Sequence, residues 1–163
     1  MIRRQLTVLL TVLLTVAALS ALTTGPAFAD DVKTAAIPDD SVALHYFRAD
    51  GAYDGWGVHF WESFEKVQGD KIVGSKDKSD MPIMGISWGS AMKPSGTDGF
   101  GPYWIVKANE FRNGKINYII HRGDSKDCTK DSAWFLPQGR QAFINSGDCT
   151  AYFTLEDALK ARK

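Results

Sequence analysis

The chain has 163 residues, with 19 Lys and Arg balanced by 19 Asp and Glu. This length suits a single domain, and the lack of a basic surplus argues against a nucleic-acid-binding protein. Hydrophobic residues make up 44% and charged residues 23% of the chain, which excludes global disorder. Aromatic residues reach 12%, and 15 Gly and six Pro interrupt any long helical pattern. The composition favours a β-rich domain with aromatic side chains available for a ligand.

The first 29 residues have the pattern of a secretory signal peptide. Two arginines precede an apolar stretch, and Ala27-Phe28-Ala29 is a small-x-small cleavage site. We expect cleavage after Ala29 and a secreted or periplasmic protein. The alternative is a membrane anchor, but the apolar stretch is short for a span of about 20 residues and Pro26 follows it. Removing the segment would leave 17 basic against 19 acidic residues.

Residues 30–40 are predicted to form a linker and residues 41–163 a single domain. Short apolar stretches between Gly, Asp and Asn turns predict six or seven strands in this domain. The predicted strands cover residues 42–48, 57–61, 100–107, 115–122, 133–136, 141–145 and 150–153. Closely spaced short strands are typical of an all-β fold, here an immunoglobulin-like β-sandwich.

The connections are less uniform than the strands. Asn113-Gly114 predicts a hairpin between the third and fourth strands. The polar residues 62–80 are predicted as a loop, whereas the Gly-interrupted residues 81–92 fit no single pattern. At the end of the chain, Thr154 and Asp157 resemble a capping box and predict a short helix over 155–162.

The domain has two cysteines, Cys128 and Cys149. An even pair in an exported domain predicts one disulfide. The loop of roughly 22 residues that it closes would stabilise the protein by about 3 kcal/mol through chain entropy. A thiol catalyst or a metal pair is the alternative, but neither cysteine has a nearby histidine or ligand-type spacing.

One segment combines a strand pattern with several aromatic residues, Trp56-Gly57-Val58-His59-Phe60-Trp61. Because strand side chains alternate, Trp56 and the residues on its face are expected in the core, with His59 and Trp61 on the opposite face. Rings at i and i+2 are about 7 Å apart along a strand and could stack under neighbouring sugar rings. The alternative is that Trp61 covers a second small core beneath residues 62–80.

Residues 121–127 form a polar loop directly after an apolar strand. Arg122 and Lys126 could donate to sugar hydroxyls, and Asp124 and Asp127 could accept from them. The alternative is an ordinary solvated loop.

Signals for catalysis are weak. Carboxylates are numerous, but their spacing selects no pair for glycoside hydrolysis. His45 and His121 occur singly in strand patterns and are predicted to be structural. The sequence has no nucleophile elbow, phosphate-binding loop or metal motif, so we predict no enzymatic activity, no cofactor and no metal.

Three ordered segments resemble the bacterial pullulanase-associated domain, a family 41 carbohydrate-binding module. They are LHYFRADGAYDGWGVHFW at 44–61, TDGFGPYW at 97–104 and IIHRGDSKD at 119–127. The resemblance spans roughly residues 41–153 and implies a β-sandwich that binds α-glucans. It implies that Trp61 stacks on glucose and that His59 stands where some members carry a second Trp.

The same resemblance matches Asp124, Lys126 and Asp127 to the polar binding loop of the family, and Arg122 stands where Lys is common. The cysteine pair and the terminal helix look like additions, and residues 62–93 are longer than expected. In the family the module normally precedes a catalytic domain, and we expect none in this sequence.

The sequence therefore predicts non-catalytic binding of starch, glycogen, pullulan or maltooligosaccharides, with a separate amylolytic enzyme as a candidate partner. Neither nucleic acid nor, after signal cleavage, a membrane is expected as a partner. The main alternative is a secreted protein-interaction or inhibitor module on the same sandwich. A small hydrolase is a third hypothesis.

Overall fold

The computed structural model describes residues 32–83 and 85–162. Short strands dominate this part of the chain, with one short α-helix at its end. The strands are β1 Ser41–Phe47, β2 Gly57–Glu62, β3 Lys66–Gln68, β4 Lys71–Gly74, β5 Met81–Pro82, β6 Gly96–Thr97, β7 Pro102–Lys107, β8 Lys115–Arg122, β9 Ser125–Lys126, β10 Ser132–Phe135 and β11 Gln141–Asn145, and the helix is α1 Leu155–Lys160. None of the described helices has the length and apolar character needed to cross a membrane.

The strands form two main sheets. The first sheet has the order β11-β1-β7-β6, with β1 parallel to β11 and antiparallel to β7. The second has the order β10-β8-β2-β5, and β9 pairs with β8 at its end. β3 and β4 form a separate hairpin. The predicted all-β sandwich is confirmed.

The core lies between the two sheets and follows from side-chain alternation. From the first sheet, β1 contributes Leu44 and β7 contributes Trp104, neither of which is exposed. From the second sheet, Trp56 and the β2 residues Val58 and Phe60 point into the same core, as the alternation of 56–61 predicted. Burial of such large side chains supplies the main driving force for the fold.

A second, smaller core covers the outer face of the first sheet. Phe100, Phe143 and Ala158 are its buried members, and Ala158 comes from α1. The helix begins as predicted, because the Thr154 hydroxyl accepts a hydrogen bond from the Asp157 amide at 3.1 Å. It ends at Lys160, two residues earlier than predicted.

His45 is fully buried in this outer layer, as expected of a structural histidine. Its Nδ1 lies 2.9 Å from a carboxylate oxygen of Asp98, and its Nε2 lies 3.0 Å from Oε1 of Gln141. Burial lowers the pKa of His45 below its ordinary value, although the Asp98 charge opposes this effect. The ring also stacks on Phe143 at a centroid distance of 4.6 Å.

The predicted disulfide is confirmed. Cys128 and Cys149 are bonded, with their Cα atoms 5.6 Å apart. Cys128 follows β9 on the second sheet and Cys149 follows β11 on the first. The bond therefore ties together segments that leave the two different sheets.

Three expectations were wrong, two about connections and one about a strand. Asn113-Gly114 forms a turn, with Gly114 at φ +74°, but β7 and β8 belong to different sheets and do not pair. Turn chemistry sets the local backbone angles and leaves open whether the flanking strands pair. The predicted loop 62–80 contains the β3–β4 hairpin, and 150–153 contributes only an isolated bridge between Phe143 and Tyr152.

The predicted signal peptide lies outside the described residues. In the predicted linker, residues 32–40 form neither helix nor strand but contact the sandwich. The Ala35 amide donates to the Asp98 carboxylate at 2.8 Å, and the Lys33 carbonyl accepts from the Gly99 amide at 2.9 Å. This segment therefore packs along the outer side of the first sheet.

Candidate functional site

An open cleft of about 510 Å³ lies on the outer face of the second sheet. We call it the aromatic cleft. Its lining residues are His59, Trp61, Asp80, Pro82, Trp88, Ile119, Lys126 and Asp131. They come from β2, β5, β8, β9 and three connecting segments, so the sheet forms the floor and the connections form the walls.

The floor follows from the alternation and register of β2 and β8. His59 lies opposite Ile119, and Trp61 lies beside Pro82 of β5. Both β2 side chains are half-buried, with ring centroids 5.9 Å apart and planes inclined by 36°. The structure thus brings the two predicted aromatic residues together on one accessible face.

The loop between β5 and β6 crosses this face because Gly57 leaves room for it. A Cβ atom at Gly57 would lie 2.9 Å from the Met92 carbonyl oxygen and 2.8 Å from the Ala91 Cβ. Met92 instead makes two backbone hydrogen bonds with Val58, of 2.8 and 3.1 Å. The missing side chain at position 57 therefore allows close packing of the loop on the strand.

This loop carries Trp88, a residue that the sequence did not identify. The Trp88 ring stacks on His121, with centroids 4.2 Å apart and planes only 6° from parallel. Its indole N–H donates to Oδ1 of Asp124 at 2.9 Å, and 37% of the residue remains exposed. His121, predicted as purely structural, is indeed buried, but it also supports a wall of the cleft.

Two charged residues supply the polar side of the cleft. Lys126 Nζ lies 3.1 Å from the Asp131 carboxylate and 5.5 Å from the Trp88 ring centroid. Asp131 was not predicted, although it lies only four residues beyond the predicted polar loop. The Asp80 carboxylate is 2.6 Å from Lys76 Nζ, so its charge is already partnered.

Two predicted site residues lie away from the aromatic cleft. The Arg122 guanidinium lies 5.4 Å from the Trp56 ring centroid, because the alternation of β8 turns it to the opposite side from His121. The Asp127 side chain is only 4% exposed and points between the sheets. Its carboxylate accepts from the Tyr46 hydroxyl at 2.6 Å and the Ser146 hydroxyl at 2.7 Å.

His59 is the titratable ring among the residues that line the cleft. Burial lowers the pKa of His59, although a hydrogen bond with the Ser87 backbone opposes this effect. The floor therefore offers flat rings, with the charged residues Asp80, Lys126 and Asp131 at the edge. Such an arrangement suits a ligand that has apolar faces and a rim of hydroxyl groups.

The sandwich and the aromatic cleft define a class of small β-sandwich domain with an accessible aromatic face. The family described as "Bacterial pullanase-associated domain" matches residues 40–153. This match covers most of the chain, and the protein belongs to that family. The resemblance found in the sequence is thereby confirmed.

Similarity to longer proteins agrees with this assignment. An alpha-amylase from Streptomyces lividans is 35% identical over 91 residues, which are 56% of this chain and 8% of the amylase. PulA from Klebsiella pneumoniae superposes with a TM-score of 0.62 at 19% identity, over 83% of this chain and 13% of PulA. The chain thus spans a small part of each of these relatives.

A shorter structural neighbour is also similar. It comes from a structure titled as α-glucan recognition by family 41 carbohydrate-binding modules from streptococcal virulence factors. The TM-score is 0.53 at 17% identity, over 74% of this chain and 50% of that chain. At this identity the likeness shows the shared fold.

Proposed function

We propose that this protein is a non-catalytic α-glucan-binding module. The observation that carries the proposal is the aromatic cleft, in which Trp61 and His59 lie beside the Lys126–Asp131 ion pair. Family membership and the α-glucan recognition described for the family 41 neighbour support this ligand class.

In this proposal Trp61 is the main stacking surface. Its indole would contact the C–H face of one glucose unit, and the smaller imidazole of His59 would contact the next. Lys126 can donate to sugar hydroxyls and Asp131 can accept from them. Lys126 and Asp131 already form an ion pair with each other, so a sugar hydroxyl would insert into an existing polar network.

The proposal gives no direct sugar contact to Arg122 or Asp127. Arg122 packs over Trp56, and the Asp127 carboxylate is engaged by donors from β1 and from the segment after β11, both of the first sheet. A glucan in the aromatic cleft would therefore meet only part of the polar loop predicted from the sequence.

Export from the cytoplasm is the second part of the proposal. The disulfide supports it, since such bonds persist in oxidising compartments. The signal peptide and cleavage after Ala29 remain predictions. A separate amylolytic enzyme as partner also remains a proposal, suggested by relatives in which a similar region is a small part of a much longer chain.

The ligand class can be tested by affinity electrophoresis of the mature protein. We expect retarded migration in amylopectin and pullulan gels, and none in a gel containing a soluble β-1,4-glucan. The curved α-1,4 chain can follow inclined rings, whereas the flat β-1,4 chain cannot. Free migration in both α-glucan gels would refute the proposal. Release of reducing sugar from starch by the pure protein would instead indicate the hydrolase hypothesis.

A further inference from the structure

We propose that Trp88 is a second glucan-stacking wall of the aromatic cleft and that Asp124 is its positioning residue. This inference rests on the proposed function and extends it to a further binding residue. It also changes the role of Asp124, which the sequence assigned to a direct sugar contact.

The rings form a continuous row. From Trp61 to His59 the centroid distance is 5.9 Å, and from His59 to Trp88 it is 6.0 Å. The His59 plane is inclined by 36° to Trp61 but by 64° to Trp88, so the two indoles cannot be parallel. A curved ligand can meet both inclined surfaces, with His59 between them.

The loop that presents Trp88 is held firmly on both sides. Ile83 and Ile86 are buried in the main core before it, and Met92 is bonded to β2 after it. Between these anchors, Ser87 and Ser90 exchange backbone hydrogen bonds of 3.3 and 3.0 Å. Trp88 therefore lies at the tip of a two-residue turn whose base is fixed, which lowers the entropy cost of binding.

Two contacts fix the ring on this tip. His121 covers one face of the indole, and Asp124 accepts its N–H. Oδ1 of Asp124 is thus engaged by Trp88, which ties this carboxylate to the position of the ring. Asp124 affects the ligand through the orientation of the ring, whereas Lys126 and Asp131 line the cleft itself.

Trp88 also borders a second groove of about 690 Å³, on the side of Tyr53, Trp56 and Asp124. A glucan that crosses Trp88 can continue from the aromatic cleft into this groove. The contribution of Trp88 should therefore grow with chain length, since a disaccharide on Trp61 and His59 does not need to reach it.

The test is isothermal titration of the mature protein with maltose and with maltoheptaose. We expect Trp88→Ala to weaken maltoheptaose binding about tenfold or more, the loss typical of an aromatic residue that a ligand covers, and to change maltose binding much less. Trp88→Phe keeps a ring on His121 and should retain most of the affinity. Ile72→Ala, on the exposed β3–β4 hairpin, is the matched control and should bind like wild type.

A double-mutant cycle then tests whether Asp124 acts through the orientation of the Trp88 ring. If Asp124 acts by holding the ring, Asp124→Ala should weaken maltoheptaose binding in the wild type and have no further effect in the Trp88→Ala variant. Additive losses would overturn the positioning role. If the Trp88→Ala variant binds maltoheptaose as tightly as the wild type does, Trp88 is not a second wall. If the wild-type protein binds no glucan at all, the proposed function itself is refuted.

Discussion

Replacement of Trp61 by alanine is expected to abolish most glucan binding and to leave the fold intact. The indole is half-buried on the outer face of β2 and forms the main flat surface of the aromatic cleft. Its loss should cost at least about 2 kcal/mol of binding free energy, or roughly 30-fold in affinity. The melting temperature should change little, because the main core lies on the other face of the sheet. Titration and a thermal melt measure the two effects separately.

Trp56→Ala is the matched control, because Trp56 directly precedes β2 and its side chain points into the main core. Trp56 is 9% exposed and packs on Tyr46 at a centroid distance of 6.0 Å. Its removal should cost about 3–5 kcal/mol of stability, as large-to-small core changes do. If Trp61→Ala unfolds the protein as readily as Trp56→Ala, the assignment of the two faces is wrong.

Asp127→Ala is expected to destabilise the protein by about 3–5 kcal/mol, since it removes a buried carboxylate that lies 3.8 Å from the Arg48 guanidinium and accepts several hydrogen bonds. The carboxylate accepts from Tyr46 and Ser146 and from the Gly147 amide at 3.1 Å. Because Tyr46 lies on β1 and the other two follow β11, this side chain links the polar loop of the second sheet to the first. Its removal would leave three donors without their acceptor.

Asp124→Ala is the matched control for this effect. The two aspartates are three positions apart in the same loop, but Asp124 is exposed and bonds only to the Trp88 indole among the described contacts. Its replacement should leave the free energy of unfolding nearly unchanged in urea denaturation. Equal losses of stability in both variants would contradict a structural role specific to Asp127.

Much of the sandwich could be predicted because strand signals are local. The β8 strand and β11 match their predicted bounds, 115–122 and 141–145, and the alternation in 56–61 gave the correct inward face. Each of these segments pairs a run of apolar or β-branched residues with clear turn residues at its ends. The disulfide followed from an even cysteine count in the predicted exported domain.

The walls of the cleft could not be predicted because they depend on contacts between distant segments. Trp88 lies in a Gly- and Ser-rich stretch with no periodicity, and only the packing of Met92 on β2 brings it over His121. An isolated Trp flanked by Ser and Gly was the available signal. Likewise, Asp127 and Asp124 look equivalent in the sequence, and only the fold buries one and exposes the other.

The most direct test of the central claim is the indole N–H spectrum of the 15N-labelled protein during titration with maltoheptaose. The chain has five tryptophans, and each gives its own side-chain resonance. If the aromatic cleft binds α-glucan, the Trp61 resonance should shift and saturate with the ligand. The Trp134 resonance should stay in place, since Trp134 is 1% exposed and its N–H is bonded to the Gly139 carbonyl. A Trp61 resonance that does not move while glucan binding saturates would contradict the account.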